Sequence, residues 1–241
     1  MVLHLSTVDS TSSVAKALLE NYEAVIVSAD YQTGGRGRNG KSWVGDPGAN
    51  VYISFGYRHA QPVTQAYLLS AMAFPTLAVI DVVREHIPTK SIRIKYPNDI
   101  QVNTDHGWAK ISGILVEHEF EGARCVATTI GIGLNVGQKT FPDTINQPCT
   151  SINLQGSNVS SAKIREQLVQ RMVEYAGMHP GIVNDRWNKE LGVVGKLVYL
   201  QGDSDTWIVE QILPDGRLLV RSSISHQERT VDNGDSIRYF D

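Results

Sequence analysis

Between Gly35 and Ser42 the chain reads GRGRNGKS, with Arg36, Arg38 and Lys41 set among three glycines. Cations on a backbone that can approach a ligand closely would neutralise carboxylate or phosphate oxygens. The stretch also satisfies G-x-x-x-x-G-K-[ST], a pattern that binds phosphates when its Lys-Ser pair opens a helix. The following WVGDPGANVYISFGYR does not open one. Gly45, Pro47 and Gly48 would break a first helical turn, and Val51, Ile53 and Phe55 alternate with Tyr52, Ser54 and Gly56 as in a strand. The cationic loop is therefore expected between two strands, with no helix dipole aimed at its ligand.

Three further stretches share this chemistry. Lys95-Tyr96-Pro97-Asn98-Asp99 closes a strand, Lys110 stands just before the strand containing Gly113, and GIGLN runs from Gly131 to Asn135. Alone, Lys95 and Lys110 would read as solvated strand-end lysines and Pro97-Asn98-Asp99 as a turn. GIGLN lacks the third glycine and the following helix of a dinucleotide site. Strands pairing in one sheet would bring the four stretches to a single cleft of cations, carboxamides and bare backbone. His118 between Glu117 and Glu119 points away from both carboxylates if the segment is a strand, so it reads as structural.

The elements that would position these residues follow from periodicity. Asp9, Ser10 and Thr11 offer a cap to a helix over about Thr11 to Asn21, and AVIVS is a buried strand from Ala24 to Ser28. A long helix is predicted between Pro62 and His86, kinked or split by Pro75. SIRIK, ISGILVEHEF and RCVATTIGIGLNV read as strands, Ser160 to Ala176 and GIVNDRWNKEL as helices. After about Leu191 come five short strands, KLVYL, WIVEQIL, RLLVRS, QERTVD and SIRYF, with a tight turn at Pro214-Asp215-Gly216. They form a small barrel expected to pack on the larger part.

The bulk properties narrow the class. With 241 residues, 41% hydrophobic and 20% charged, the chain is an ordinary globular sequence. A net charge of −3 argues against a general nucleic-acid surface. Cys125 and Cys149 make neither a metal spacing nor a disulfide framework, and no signal stretch or run of 18 apolar residues appears. A cytoplasmic setting without membrane attachment is expected.

The series DST (Asp9 to Thr11), GRGRNGKSW followed by GANVYIS, KYPNDI, KISGILVE and GIGLNV, in that order and with a terminal barrel, resembles the biotin protein ligases. The resemblance covers essentially the whole chain. It implies an α/β (α+β) fold, a mixed β-sheet flanked by helices with a small C-terminal SH3-like β-barrel, divided as a catalytic domain over 1–191 and a barrel over 192–241. It implies two steps: biotin carboxylate attacks the α-phosphate of ATP, then a lysine of an acceptor protein attacks the acyl-adenylate. Lys110 would hold the reacting carboxylate and α-phosphate oxygens, with Arg38 as its catalytic partner. Ser10, Thr11, Gln32, Gly35, Arg36, Lys110 and Gly113 would bind biotin. Arg38, Lys41, Trp43, Asn98 and Asn135 would bind the nucleotide, and Asp99 would meet Mg²⁺ arriving with ATP.

The same resemblance implies biotin and ATP as substrates, no tightly bound prosthetic group, and the biotin-acceptor domain of a carboxylase as partner, with a homodimer left open. Two departures stand out: Tyr96 replaces the family's usual tryptophan in K-W-P-N-D, and Asn39 replaces a common basic residue. The chain starts at the catalytic part without a helix-turn-helix, so DNA is not an expected partner. The rivals are a lipoate or octanoate ligase, whose R-R-x-x-G-G stretch is absent, and a non-catalytic protein-binding module.

Overall fold

Alternation along the central strands decides the layering of the computed structural model, which describes residues 1–232, 234 and 237–239. In β3 (Val51–Arg58), Val51, Ile53 and Phe55 enter the main apolar core, while Ser54 and Gly56 face the other side of the sheet. In β7 (Arg124–Leu134), Ile130, Ile132 and Leu134 face that core, and Gly131 and Gly133 face away. The same two strands thus build a hydrophobic layer and, on the reverse, a glycine floor.

These strands lie in a seven-stranded mixed sheet of order β1-β2-β3-β7-β6-β5-β4. The others are β1 (Val2–Val8), β2 (Ala24–Gln32), β4 (Ile92–Lys95), β5 (Asp99–Thr104) and β6 (Gly107–Glu121). β1 pairs with β2 in parallel across α1 (Thr11–Leu18), and every other pairing is antiparallel. α1 covers the glycine-bearing face with Ala15 and Leu19 against Val25, Val27 and Ala127. The opposite face is covered by α2 (Gln65–His86), α3 (Ser161–Ala176) and α4 (Pro180–Leu191). Ser160 caps α3 by accepting from the Lys163 N–H at 3.2 Å, and Gly192, at φ 55°, closes α4 in the left-handed region.

Several expectations change here. α2 is not split: it runs unbroken through Pro75, with Ala71, Phe74, Leu77 and Ile80 all buried. Packing on both sides of the missing hydrogen bond outweighs the local penalty. By length and apolarity α2 would also pass for a membrane span, but most of it is buried against the sheet. Helix one ends at Leu18, with turns over the next three residues. Ser10 is at its N-cap but makes no side-chain cap bond; the Gln32 Oε1 accepts from the Thr11 N–H at 2.7 Å instead. β1 and β5 are additional strands, and Lys110 lies within β6 rather than before it.

The last segment forms a separate antiparallel sheet of order β11-β10-β9-β8-β12. Its strands are β8 (Leu197–Leu200), β9 (Thr206–Ile212), β10 (Leu218–Ser222), β11 (Glu228–Val231) and β12 (Ile237–Tyr239). Ser236 and Phe240, the ends of the expected last strand, lie outside the described residues. The turn at Pro214-Asp215-Gly216 is present, closed by Gly216 N–H to Leu213 O at 2.8 Å with Gly216 at φ 85°. Trp207, Val209, Leu218 and Val220 of this sheet join the same apolar cluster as the helical layer.

Two histidines meet on the Thr128 hydroxyl, His59 Nε2 at 2.8 Å and His118 Nδ1 at 3.0 Å. Burial lowers the pKa of both below the ordinary 6.5. The folded chain therefore binds fewer protons there than the unfolded one. Stability should be full above about pH 6.5 and fall as pH drops through and below that value, before most carboxylates titrate. Urea midpoints that stay level from pH 7.5 to 5.5 would contradict this.

Candidate active site

A cleft of about 810 Å³ opens on the glycine face of the sheet. It is lined by Ser10, Thr11, Gln32, Arg36, Arg38, Lys41, Trp43, Asn98, Asp99, Lys110, Gly113 and Asn135, so eleven separate sequence positions besides Lys110 converge on it. Of the residues that the resemblance assigns to biotin, nucleotide or Mg²⁺, Gly35 is the one that does not line this cleft; it borders a neighbouring cavity at the cationic loop. A third cavity, of about 380 Å³ between the helices and the sheet, has no charged side chain in its wall.

One end of the cleft is polar and uncharged. The Thr11 hydroxyl donates to Gln32 Oε1 at 3.0 Å and lies 2.8 Å from Ser54 Oγ, which is 2.9 Å from Ser12 Oγ. A methyl group at Gly131 would come within 2.7 Å of Ser12 Oγ, so the glycine keeps this corner open. Ser12 and Ser54 were not singled out from the sequence. The alternation in β3 already placed Ser54 on this face.

The other end is cationic. Lys110 Nζ is 2.7 Å from Asp99 Oδ1, with both side chains mostly buried at 14% and 17% exposure. Lys110 and Gly113 are three apart, a spacing that regular alternation would send to opposite faces. A bulge resolves this: Ile100 pairs with Ser112 and Gln101 with Lys110, leaving Ile111 as the extra residue. Lys110 is thereby turned onto the face of Gly113, whose added Cβ would lie 3.2 Å from Lys110 Nζ. Beside it Cys149 forms an isolated bridge with Lys110; burial pushes its thiol pKa up, with Lys110 pulling the other way.

The loop from Gly34 to Ser42 is folded over this end. Arg38 Nη1 donates to Asn98 Oδ1 at 3.2 Å, and Asn98 Nδ2 donates to the Ile114 carbonyl at 2.6 Å. Arg36 pairs with Glu117 at 3.7 Å, and Lys16 of α1 donates to the same carboxylate at 2.7 Å. No helix follows Ser42, which instead bridges Arg36 in antiparallel fashion. Asn39 sits at φ 54°, ψ 37°, a left-handed position that asparagine tolerates better than a long basic residue. Gly35 is required by contact, because an added Cβ would collide with the Trp43 carbonyl.

Trp43 lies flat on the glycine floor. Added methyls at Gly133 and Gly113 would strike its ring, and Lys110 Nζ stands 5.3 Å from the ring centroid. Its Nε1 is buried without an acceptor among the described residues. Gly133→Ala should push the indole off the floor and release the loop. Losing that packing costs on the order of 1–3 kcal/mol, so tryptic cleavage after Arg36, Arg38 or Lys41 should rise about five- to a hundredfold. An unchanged cleavage rate would detach the floor from loop closure.

Asn135 is buried, donating from Nδ2 to the Thr150 carbonyl at 3.0 Å, and so holds the segment beside Lys110. Asp99 is engaged by Lys110, and no group of three His, Cys, Asp or Glu side chains able to hold a metal occurs among the described residues. Gln201 and Arg238, from the C-terminal sheet, also line the cleft. Nothing in their local sequence marks them, because only the packing of the two sheets brings them there.

The sequence profile of the Biotin/lipoate A/B protein ligase family matches residues 5–135. The chain is 31% identical over 173 residues to the Bifunctional ligase/repressor BirA of Bacillus subtilis, covering 70% of this chain and 51% of that protein. It is 28% identical over 205 residues to the Biotin–[acetyl-CoA-carboxylase] ligase of Mycobacterium tuberculosis, covering 81% and 73%. The chain thus spans about half the length of the BirA proteins it matches. The Aquifex aeolicus biotin protein ligase in complex with biotin and ATP has the same fold, with a TM-score of 0.71, 22% identity and 99% of each chain covered.

Proposed function

Because the chain belongs to the biotin/lipoate A/B protein ligase family, we propose that it is an ATP-dependent biotin protein ligase. A biotin carboxylate oxygen attacks the α-phosphorus of ATP and the bond to the leaving pyrophosphate breaks. The ε-amine of an acceptor lysine then attacks the acyl carbon of biotinyl-5′-AMP, AMP leaves, and the amine loses its proton.

The observation that carries this reading is the convergence of Lys110, Arg36, Arg38 and Lys41 on a glycine-floored cleft whose far end is polar but uncharged. Two anions must meet for the first step, and fixed cations in a water-poor site lower that cost. Lys110 is largely enclosed and is held by Asp99, so it is assigned to the oxygens between which charge develops. Thr11, Ser10 and Gln32 suit a ureido ring. An octanoyl or lipoyl tail would leave those groups unpaired, which disfavours the lipoate reading. Trp43 offers its indole to the adenine, and Arg36, Arg38 and Lys41 cover the carboxylate and phosphates.

Mg²⁺ enters as part of the ATP substrate. One carboxylate, Asp99, with phosphate oxygens and water would suffice for it, since Mg²⁺ keeps several waters and needs few protein ligands. The assignment further comprises a catalytic domain over 1–191, an SH3-like barrel over 192–241, a carboxylase acceptor domain as partner and a cytoplasmic setting.

Biotin-dependent exchange of labelled pyrophosphate into ATP, with mass spectrometry of the acyl-adenylate, tests the proposal. Biotinyl-AMP is the expected product. A lipoyl or octanoyl adenylate in its place would move the chain to the sister activity, and no adenylate at all would leave a binding module.

A further inference from the structure

Tyr96 stands where two halves of the molecule touch. It is 4% exposed, and its hydroxyl donates to the Gly216 carbonyl at 3.0 Å with the Val231 carbonyl at 3.3 Å, both in the C-terminal sheet region. Burial drives its ionisation far above the ordinary range, so it remains a donor. Its backbone N–H donates to the Tyr239 hydroxyl at 3.1 Å. At Gly234 an added Cβ would collide with the Tyr96 carbonyl, so the two backbones are in direct contact.

The residues after Tyr96 lead into the active site. Asn98 accepts from Arg38 and Asp99 pairs with Lys110, so both leading cations are held by one turn. The turn's inner side is tied to β6, where the Ile114 N–H donates to the Asn98 carbonyl at 3.1 Å. Its outer side has the C-terminal sheet. We propose that Tyr96 is a positioning residue through which the C-terminal sheet sets the geometry of Asn98 and Asp99, and with them Arg38 and Lys110. The catalytic part of this inference rests on the ligase reading above. Tyr96 itself is absent from the cleft wall, so it acts through its neighbours.

The consequence is specific to one end of the cleft. Thr11, Gln32 and Ser54 belong to α1, β2 and β3 and are remote from this contact in the sheet order. Loosening the turn should impair chemistry and leave the polar end unchanged. Tyr96→Phe deletes the hydroxyl and keeps the ring, and Tyr239→Phe deletes the second tie from the opposite side.

The test is hydrogen exchange and steady-state adenylation on the full chain. For Tyr96→Phe, exchange of the Ile114 amide should accelerate about tenfold, with Ile130 and Ile132 unchanged; kcat for adenylation should fall about tenfold with KM for biotin at its wild-type value. Tyr239→Phe should shift both readouts in the same direction. Wild-type exchange at Ile114 together with wild-type kcat would overturn the inference. A uniform rise of exchange across the sheet would also overturn it, by reducing Tyr96 to a general stabilising contact. If the wild-type chain makes no biotinyl-AMP, the ligase reading fails, and the Ile114 measurement still decides whether Tyr96 holds the turn.

Discussion

Lys110→Ala is expected to lower the rate of biotinyl-adenylate formation by about 1,000-fold, the upper end of what one preorganised charge-stabilising donor is worth. Lys110 carries a positive charge into a largely enclosed place, 14% exposed, where a nearby reacting oxygen would feel it with little screening. The bulge at Ile111 and the ion pair with Asp99 fix it there, so it need not reorganise when charge develops. The substitution has a second effect: Asp99, 17% exposed, loses its partner. Stranding a buried charge costs about 3–5 kcal/mol, against the roughly 5–15 kcal/mol of a typical domain. Single-turnover adenylation should therefore be read beside the urea midpoint, and Lys110→Ala combined with Asp99→Asn should recover stability without recovering rate. A rate within a few-fold of wild type would remove Lys110 from the chemistry.

The cleft could be assembled from sequence because its parts are unusual in type: cations among glycines, carboxamides at a turn, glycines alternating with isoleucines. Its geometry was less legible, and each gap has a physical cause. The strand read from the sequence begins at Ile111 and leaves Lys110 just before it, and the bulge that sets Lys110 on the face of Gly113 depends on the register with β5. β5 begins at Asp99, inside a stretch whose local chemistry is that of a turn, and β1 is an edge strand with no fully buried position. Pro75 signals a break that long-range packing overrides. The contributions of Gln201 and Arg238 depend on how the two sheets dock, a distance in sequence that no local pattern reports.

Docking of the loop leads to the second large effect. Arg38→Ala should speed the release of biotinyl-adenylate by about ten- to a hundredfold, from loss of a charge-assisted hydrogen bond worth roughly 1.5–3 kcal/mol. Arg38 has two partners to lose: the Asn98 carboxamide that it reaches from the loop, and the phosphate assigned to it once the adenylate is in place. The other loop cation differs, since Arg36 is already paired with Glu117 and its side chain is 45% exposed, where an ion pair contributes little. Removing Arg38 therefore unlatches the loop from Asn98, while Trp43 on its glycine floor still holds the loop's C-terminal end. Arg38→Lys should recover only part of the retention, because an ammonium cannot present the planar fork that spans amide and phosphate together. Chasing bound labelled adenylate with excess unlabelled compound measures the rate directly. An off-rate equal to wild type would mean that the loop covers the cleft without retaining what lies beneath it.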